Sequence, residues 1–317
     1  MSAAPVLIYA EEAAEIAAHL AARLPGERLL PVTGPAGLGA ALAETPEIAF
    51  TIKARSLPEA DHRRVLGAPS LRWFQVGGSG YEHVAGHWDP ARVTVTNCVG
   101  VLAPFLAETC IGAIIALNNG LIAYRDRQKA RRWEGILFRP IAGQVLVVVG
   151  AGAIGGELAR RAAALGMRVI AIRRSGAPVP GAAEVRPPDA LRASLAEADV
   201  VSVHLRLSPE TAGMFGASLF AAMKPGAMFL NTARGGHVVE ADLVAALASG
   251  QLRGAYLDVT ETEPLPPESP LWDVPNLLIS PHSADSVADW PLRFADLFTE
   301  NLGRWRAGEP LRNVVAG

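Results

Sequence analysis

Short apolar runs, separated by polar or Gly/Pro-containing stretches, recur along the chain at a spacing that predicts alternating strands and helices. In the first hundred residues Val6–Tyr9, Leu29–Val32, Ile48–Ile52, Trp73–Val76 and Val93–Thr96 read as strands. Glu11–Arg23 reads as an amphipathic helix with Ile16 and Leu20 on one face. Further strands are predicted at Val145–Val149, Val169–Ile172, Val200–Leu205, Met228–Asn231, Ala255–Leu257 and Leu277–Ser280. Helices are predicted over Glu157–Leu165, within the turn-and-helix stretch Pro209–Met223, and over Glu240–Ser249, closed by Gly250. The unbroken apolar run Val145–Val149 suits a strand buried on both faces of a parallel sheet. The pattern predicts an α/β chain of two doubly wound parallel-sheet domains.

Two segments predict where the chain changes domain. Leu102–Ala123 is long, apolar and helical in character, and is expected to cross from one domain to the other. The last helix, about Asp285–Arg306, contains Pro291 and carries Phe294, Leu297, Leu302 and Trp305 on an apolar face, so it is expected to return to the first domain. The expected division is residues 1–98 with 285–317, and residues 99–284. Between them, Arg125–Arg132 reads as a basic, solvated stretch ending near Trp133.

The strand Val145–Val149 runs into Gly150, Gly152 and Gly155 in the pattern G-x-G-x-x-G. In a dinucleotide fold the first glycine permits a tight turn, the second lets backbone approach a pyrophosphate, and the third lets helix pack on strand. The phosphates then meet free N–H groups at a helix N-terminus. Gly150, Gly152, Ala153, Ile154 and Gly155 are therefore the candidate pyrophosphate-binding residues. An NAD site usually carries an acid about 20 residues beyond the glycines, for the ribose hydroxyls. Here Arg173, Arg174 and Ser175 stand there instead. Guanidiniums beside a hydroxyl suit a 2′-phosphate, so NADP (NADPH) is favoured over NAD.

Composition narrows the rest. Half of the 317 residues are hydrophobic and the net charge is -2, which argues against disorder and against a nucleic-acid partner. Cys98 and Cys110, the two cysteines, make neither a metal cluster nor a disulfide framework, and no metal is expected. The N-terminus lacks the pattern of a signal peptide, and the apolar segment Cys110–Leu117 is too short to span a bilayer. A cytoplasmic protein with no membrane partner is the expectation.

Candidate chemistry lies at three successive strand ends: Asn231-Thr-Ala-Arg-Gly-Gly236, Leu257-Asp258 through Glu263-Pro264, and Ser280-Pro281-His282. Hydride transfer to a 2-keto acid needs a cation for the carboxylate and carbonyl, which Arg234 can supply. It needs an acid near neutrality, which His282 can supply, and a carboxylate such as Glu263 to stabilise the imidazolium. In the first domain Gly77-Gly78-Ser79-Gly80-Tyr81 follows a strand, and its exposed N–H groups could hold a substrate carboxylate.

These motifs, in this order, resemble the D-isomer-specific 2-hydroxyacid dehydrogenase family over nearly the whole chain, most densely from Gly143 to His282. Phe229-Leu-Asn-Thr-Ala-Arg-Gly235 resembles the signature whose arginine binds substrate, which implies that role for Arg234. Gly254-Ala-Tyr-Leu-Asp-Val259 with Glu263-Pro-Leu-Pro266 implies Glu263 as partner of the catalytic histidine and Asp258 as a contact of the nicotinamide carboxamide. Pro281-His282 implies His282 as general acid/base. Gly78-Ser-Gly-Tyr-Glu82 resembles the family's G-x-G-x-D loop, which implies substrate-carboxylate binding by Ser79 and Gly80, with Glu82 in place of Asp. Ala107-Glu-Thr109 resembles a helix start whose polar residue meets the nicotinamide side, which implies Thr109 as a cofactor contact.

The resemblance implies a Rossmann nucleotide-binding domain with a flavodoxin-like substrate domain, and a homodimer formed through the former. Arg173-Arg174-Ser175 is similar to the NADPH-preferring glyoxylate and hydroxypyruvate reductase branch, which implies reduction of a small 2-keto acid to the D-2-hydroxy acid. Two departures bear on detail: Arg206 stands where Pro is common, and Ser283-Ala284-Asp285 replaces an Ile/Gly-rich continuation. Trp290 and Tyr81 are candidate pocket-lining residues. Two other functions are open on this fold. A cofactor-sensing corepressor would bind NADPH without turnover, and formate dehydrogenase chemistry usually pairs the histidine with Gln rather than with an acid such as Glu263.

Overall fold

A computed structural model describes residues 4–315. The chain forms two compact units, one through Leu102 with Val287 onward, the other Ala103–Ser286. The first unit runs β1 (Val6–Tyr9), α1 (Ala13–Arg23), β2 (Leu29–Val32), α2 (Pro35–Ala43), β3 (Ile48–Thr51), α3 (Glu59–Leu66), β4 (Trp73–Val76) and β5 (Thr94–Thr96), and later regains a long helix, Trp290–Ala307. Its five parallel strands lie in the order β2-β1-β3-β4-β5. That is the flavodoxin-like order. Pro31 is tolerated because β2 lies at the sheet edge.

Side-chain alternation divides this unit's core into two layers. Leu7, Tyr9, Ala49 and Phe74 pack with Leu38, Val65 and Leu66 of α2 and α3. On the other face the Phe298 ring of the last helix stacks on Phe50 at 5.1 Å and on Trp73 at 4.9 Å. α2 is built almost wholly of small and apolar residues and α3 mostly of polar ones, so neither announces itself in the sequence. Pro35 at the first turn starts α2, and acidic then basic residues suit the dipole of α3. The last helix begins at Trp290 rather than Asp285, with Pro291 in its first turn.

The second unit begins with α4 (Ala103–Asn118) and α5 (Leu121–Lys129). The predicted single helix over Leu102–Ala123 is thus broken: Gly120 takes the left-handed conformation and the two helices meet at 57°. α5 also takes up much of the basic stretch read as a solvated surface, and buries no residue. Among the described residues no single helix is long and apolar enough to cross a membrane.

After α5 come β6 (Val145–Val149), α6 (Ala153–Ala164), β7 (Arg168–Ile172), β8 (Glu184–Arg186), α7 (Leu191–Leu195) and β9 (Val200–Val203). α8 (Ala217–Ala222), β10 (Ala227–Asn231), α9 (Glu240–Ala248), β11 (Leu252–Leu257) and β12 (Leu277–Ile279) complete the unit. The seven strands are parallel, in the order β12-β11-β10-β9-β6-β7-β8. Strand order reverses between β6 and β9, so the ligand crevice of this doubly wound sheet lies at the carboxyl ends of those two strands. Both faces of β6 are covered: Val147 and Val149 join one core layer, Leu146 and Val148 the other.

Candidate active site

The glycine turn is built as its spacing demands. Gly150 has φ +96, and a Cβ there would lie 2.6 Å from the His204 carbonyl oxygen. A Cβ on Gly155 would overlap the Gly150 carbonyl, so α6 can pack on β6 only with glycine at this position. A Cβ on Gly152 would meet nothing within 4 Å, which leaves this backbone open to a ligand. α6 begins at Ala153, four residues earlier than periodicity indicates, because three of its first four residues after Gly152 are small or glycine and carry no helical pattern. Ala153 and Ile154 therefore occupy the first turn, and no side chain caps it. Its N–H groups and dipole suit a pyrophosphate.

Arg173, Arg174 and Ser175 follow β7, beside the glycine turn in strand order. Other arginines on this edge are neutralised: Arg168 and Arg186 each pair with Glu184 and Glu197. Arg173 and Arg174 make no ion pair among the described residues. The field of Arg174 reaches Glu210 and helps hold that carboxyl below its usual range, after hydrogen bonds from Ser208 and from its own backbone.

Arg234 leaves the end of β10 on a loop fixed by Asn231. The buried Asn231 side chain donates to the Arg234 carbonyl at 2.9 Å and accepts from the Ala233 N–H at 3.0 Å. His237 Nδ1 donates to the same carbonyl at 2.9 Å. A Cβ on Gly235 would overlap the Thr260 backbone, so the loop after β10 can lie against the loop after β11 only with glycine there. The exposed Arg234 guanidinium bends back to donate to the Ala233 carbonyl at 2.7 Å.

His282 and Glu263 are in contact: Nδ1 lies 2.7 Å from Glu263 Oε2, and Glu263 Oε1 accepts from the Thr260 N–H at 3.1 Å. Nδ1–H donates to the carboxylate, which leaves Nε2 as the nitrogen that can exchange a proton with a substrate. His282 is about half exposed and adopts φ +52. A left-handed non-glycine residue costs on the order of 1 kcal/mol or more and needs surroundings that enforce it.

Asp258 supplies that enforcement. Its carbonyl accepts the His282 N–H at 2.8 Å, and its buried Oδ1 accepts Ser283 N–H at 2.8 Å and Ala284 N–H at 3.0 Å. Ser280 Oγ donates to the same Oδ1 at 2.5 Å, and Tyr256 OH lies 2.7 Å from Ser280 Oγ. Because Ser280 gives its proton to Asp258, Tyr256 donates to Ser280. Burial pushes the Tyr256 hydroxyl up to about 12, so it stays a donor. Thr109 donates to the Ala284 carbonyl at 2.8 Å. Asp258 and Thr109, expected as cofactor contacts, thus both hold the His282 loop. Asn231, Gly235, Tyr256 and Ser280 stood in the motifs without an assigned task, since their partners come from neighbouring strands.

In the first unit the loop after β4 leaves the N–H groups of Ser79 and Gly80 without a backbone partner among the described residues. Asn97 fixes this loop by donating to the Ser79 carbonyl at 3.0 Å. The Glu82 carboxylate lies close to Gly80, 2.6 Å from where a Cβ would sit. Tyr81 stacks edge-on with Trp88 at 6.4 Å and Trp290 with Phe294 at 5.5 Å. No group of three or more metal-ligating side chains occurs among the described residues.

Comparison with known proteins agrees with this geometry. Residues 111–284 match the family described as D-isomer specific 2-hydroxyacid dehydrogenase, NAD binding domain. The chain is 33% identical over 259 residues to a glyoxylate reductase of Korarchaeum cryptofilum, covering 78% of this chain and 77% of that one. It is 33% identical over 261 residues to a glycerate dehydrogenase of Methylorubrum extorquens, covering 78% and 79%. The NADPH-dependent glyoxylate/hydroxypyruvate reductase of Sinorhizobium meliloti, solved with NADP and sulfate, superposes with a TM-score of 0.82 at 31% identity, covering 98% of each chain. With the glycine turn at its switch point and the arginine, glutamate and histidine at its strand ends, the chain belongs to the D-isomer specific 2-hydroxyacid dehydrogenases, a family of NAD-binding oxidoreductases.

Proposed function

We propose that this protein reduces a small 2-keto acid of the glyoxylate or hydroxypyruvate type to the D-2-hydroxy acid, with NADPH as the preferred cofactor. The observation that carries the reading is the His282–Glu263 pair at 2.7 Å, one strand end from the loop that presents Arg234. NADPH, when bound, supplies the hydride, and the open backbone at Gly152 with the uncapped α6 N-terminus fits its pyrophosphate. Arg234 binds the carboxylate and polarises the carbonyl with paired donors. His282 Nε2 delivers a proton to the carbonyl oxygen as it becomes a hydroxyl, and Glu263 stabilises the imidazolium held ready for that step. Ser79 and Gly80 are assigned to the substrate carboxylate because their N–H groups are unpaired within the loop.

The cofactor preference rests on Arg173 and Arg174, which lack the acidic partners of Arg168 and Arg186. Replacing both with Ala is expected to lower kcat/KM with NADPH by about 10- to 100-fold, the worth of one or two charge-assisted hydrogen bonds, and to change the NADH value far less. Steady-state rates with both cofactors on one keto acid check this. An equal loss with NADH assigns the arginines to the shared part of the cofactor or to folding.

We also infer a homodimer formed through the second unit. Trp133 and Leu137 are fully exposed and Phe138 is half exposed, all within the six residues 133–138 that follow α5. Apolar side chains grouped this densely mark an interaction surface. Light scattering is expected to give twice the chain mass, and Trp133→Ser with Leu137→Ser to shift it toward the monomer. A monomeric wild type removes the inference.

A further inference from the structure

The N–H groups assigned to the substrate carboxylate belong to peptide units whose carbonyls are held from one neighbouring segment. A trans peptide carries its C=O and N–H on opposite sides of one plane, so fixing the first aims the second. The Gly78 carbonyl accepts from the Cys98 N–H at 2.8 Å, which sets the direction of the Ser79 N–H. The Ser79 carbonyl accepts from Asn97 Nδ2 at 3.0 Å, which sets that of the Gly80 N–H. Residues 97–98, just past β5, thus orient both donors.

Asn313 clamps that segment in turn. Its Nδ2 donates to the Asn97 carbonyl at 3.2 Å and to the Val99 carbonyl at 2.8 Å, and its own carbonyl accepts the Asn97 N–H at 3.1 Å. The Asn97 carbonyl shares its peptide plane with the Cys98 N–H, so the Asn313 amide aims the donor that holds Gly78. Two peptide planes therefore connect the Asn313 side chain to the Ser79 N–H. Asn313 takes φ +57, a conformation that asparagine tolerates better than most residues. Its backbone is anchored on both sides without help from Nδ2. Arg312 N–H donates to Oδ1 of the buried Asn301 at 2.8 Å, and the Arg312 carbonyl accepts from Asn301 Nδ2 at 3.2 Å. Beyond it, Val315 N–H donates to the Val95 carbonyl at 2.8 Å.

We propose that Asn313 is a positioning residue for substrate binding: its side-chain amide fixes the Asn97–Cys98 peptide and, through it, the direction in which the Ser79 N–H meets the carboxylate of the keto acid. The inference rests on the assignment of Ser79 and Gly80 to that carboxylate.

Asn313→Gly tests it, because glycine takes a positive φ freely and lacks only the amide. KM for glyoxylate is expected to rise about 5- to 20-fold with kcat within about twofold, since a weakened carboxylate contact acts on ground state and transition state alike. NADPH affinity is expected to stay at the wild-type value, because the glycine turn belongs to the other unit. Asn97→Ala should raise the same KM, and the double variant should fall short of the product of the two effects, as expected for residues in one network. An unchanged KM for glyoxylate in Asn313→Gly overturns the proposal, as does an equal loss of NADPH affinity or a double variant in which the effects multiply. Should Asn313→Gly not fold, Asn313→Asp is measured in its place, since it keeps the shape and the left-handed backbone but loses the donors. A wild type that reduces no 2-keto acid sinks the functional reading instead, and binding of oxamate, an unreactive carboxylate analogue, then reads the loop. Weaker oxamate binding in Asn313→Gly supports the positioning role, and equal binding overturns it.

Discussion

His282→Ala is expected to lower kcat for keto-acid reduction by about 100- to 10,000-fold, the usual worth of a positioned general acid. The residue is held by contacts of three kinds: Glu263 on Nδ1, Asp258 on its backbone N–H, and a left-handed backbone that the Asp258 carboxylate stabilises through the next two residues. NADPH affinity, read from quenching of protein fluorescence, should stay within about threefold, because the glycine turn proposed to bind its phosphates is built on β6 and α6. Glu263→Gln should cost less than His282→Ala, since the amide still fixes the ring but no longer stabilises the imidazolium. Wild-type turnover in His282→Ala would falsify the assignment. Loss of NADPH binding along with turnover would show that the substitution had disturbed the domain rather than the chemistry.

The second large effect is expected at Arg234. Arg234→Ala removes the charge proposed to hold the carboxylate and polarise the carbonyl, and kcat should fall about 100- to 1,000-fold with a rise in KM. Arg234→Lys should recover little, because an ammonium cannot offer two parallel donors to a carboxylate. The loop itself should survive either change. Asn231, His237 and Gly235 fix it through the backbone of residue 234, independently of the guanidinium. Circular dichroism and thermal unfolding close to wild type check that point. A kcat unchanged in Arg234→Ala with a raised KM would reduce the residue to ground-state binding.

The alternative functions differ in what these variants do. A corepressor-like binding protein would retain NADPH affinity and show no turnover to lose. Formate chemistry would appear as formate oxidation in the wild type. The His282–Glu263 ion pair favours neither over keto-acid reduction, because a carboxylate partner serves an imidazolium that gives up its proton in each cycle.

Much of the fold could be read from the residues because its strands are buried on both faces. Val145–Val149 and Val6–Tyr9 are unbroken apolar runs, and the structure places strands over those same residues. The glycine turn was equally legible: the demands on Gly150 and Gly155 come from the path of the chain within a few residues and from one strand–helix contact. Helices were harder. α2, rich in glycine and alanine, gave no helical period to read; that of α6 began late, at Glu157, and that of α4 ran past Asn119-Gly120, where the chain bends.

What the sequence determined by itself was thus the local order: which segments are strands, where a phosphate can approach backbone, and which cations stand where an acid is usual. Tertiary structure alone decided what meets what. Tyr256, Asp258 and Ser280 join because β11 and β12 run side by side in a fixed register, with Tyr256 opposite Leu278 and Leu257 opposite Ile279. From that pairing Asp258 becomes the clamp of the His282 loop. Strand and helix periods are properties of neighbouring residues and show in the string of letters. A hydrogen bond between residues twenty or more positions apart depends on the register of two strands, and appears only when the sheet has formed.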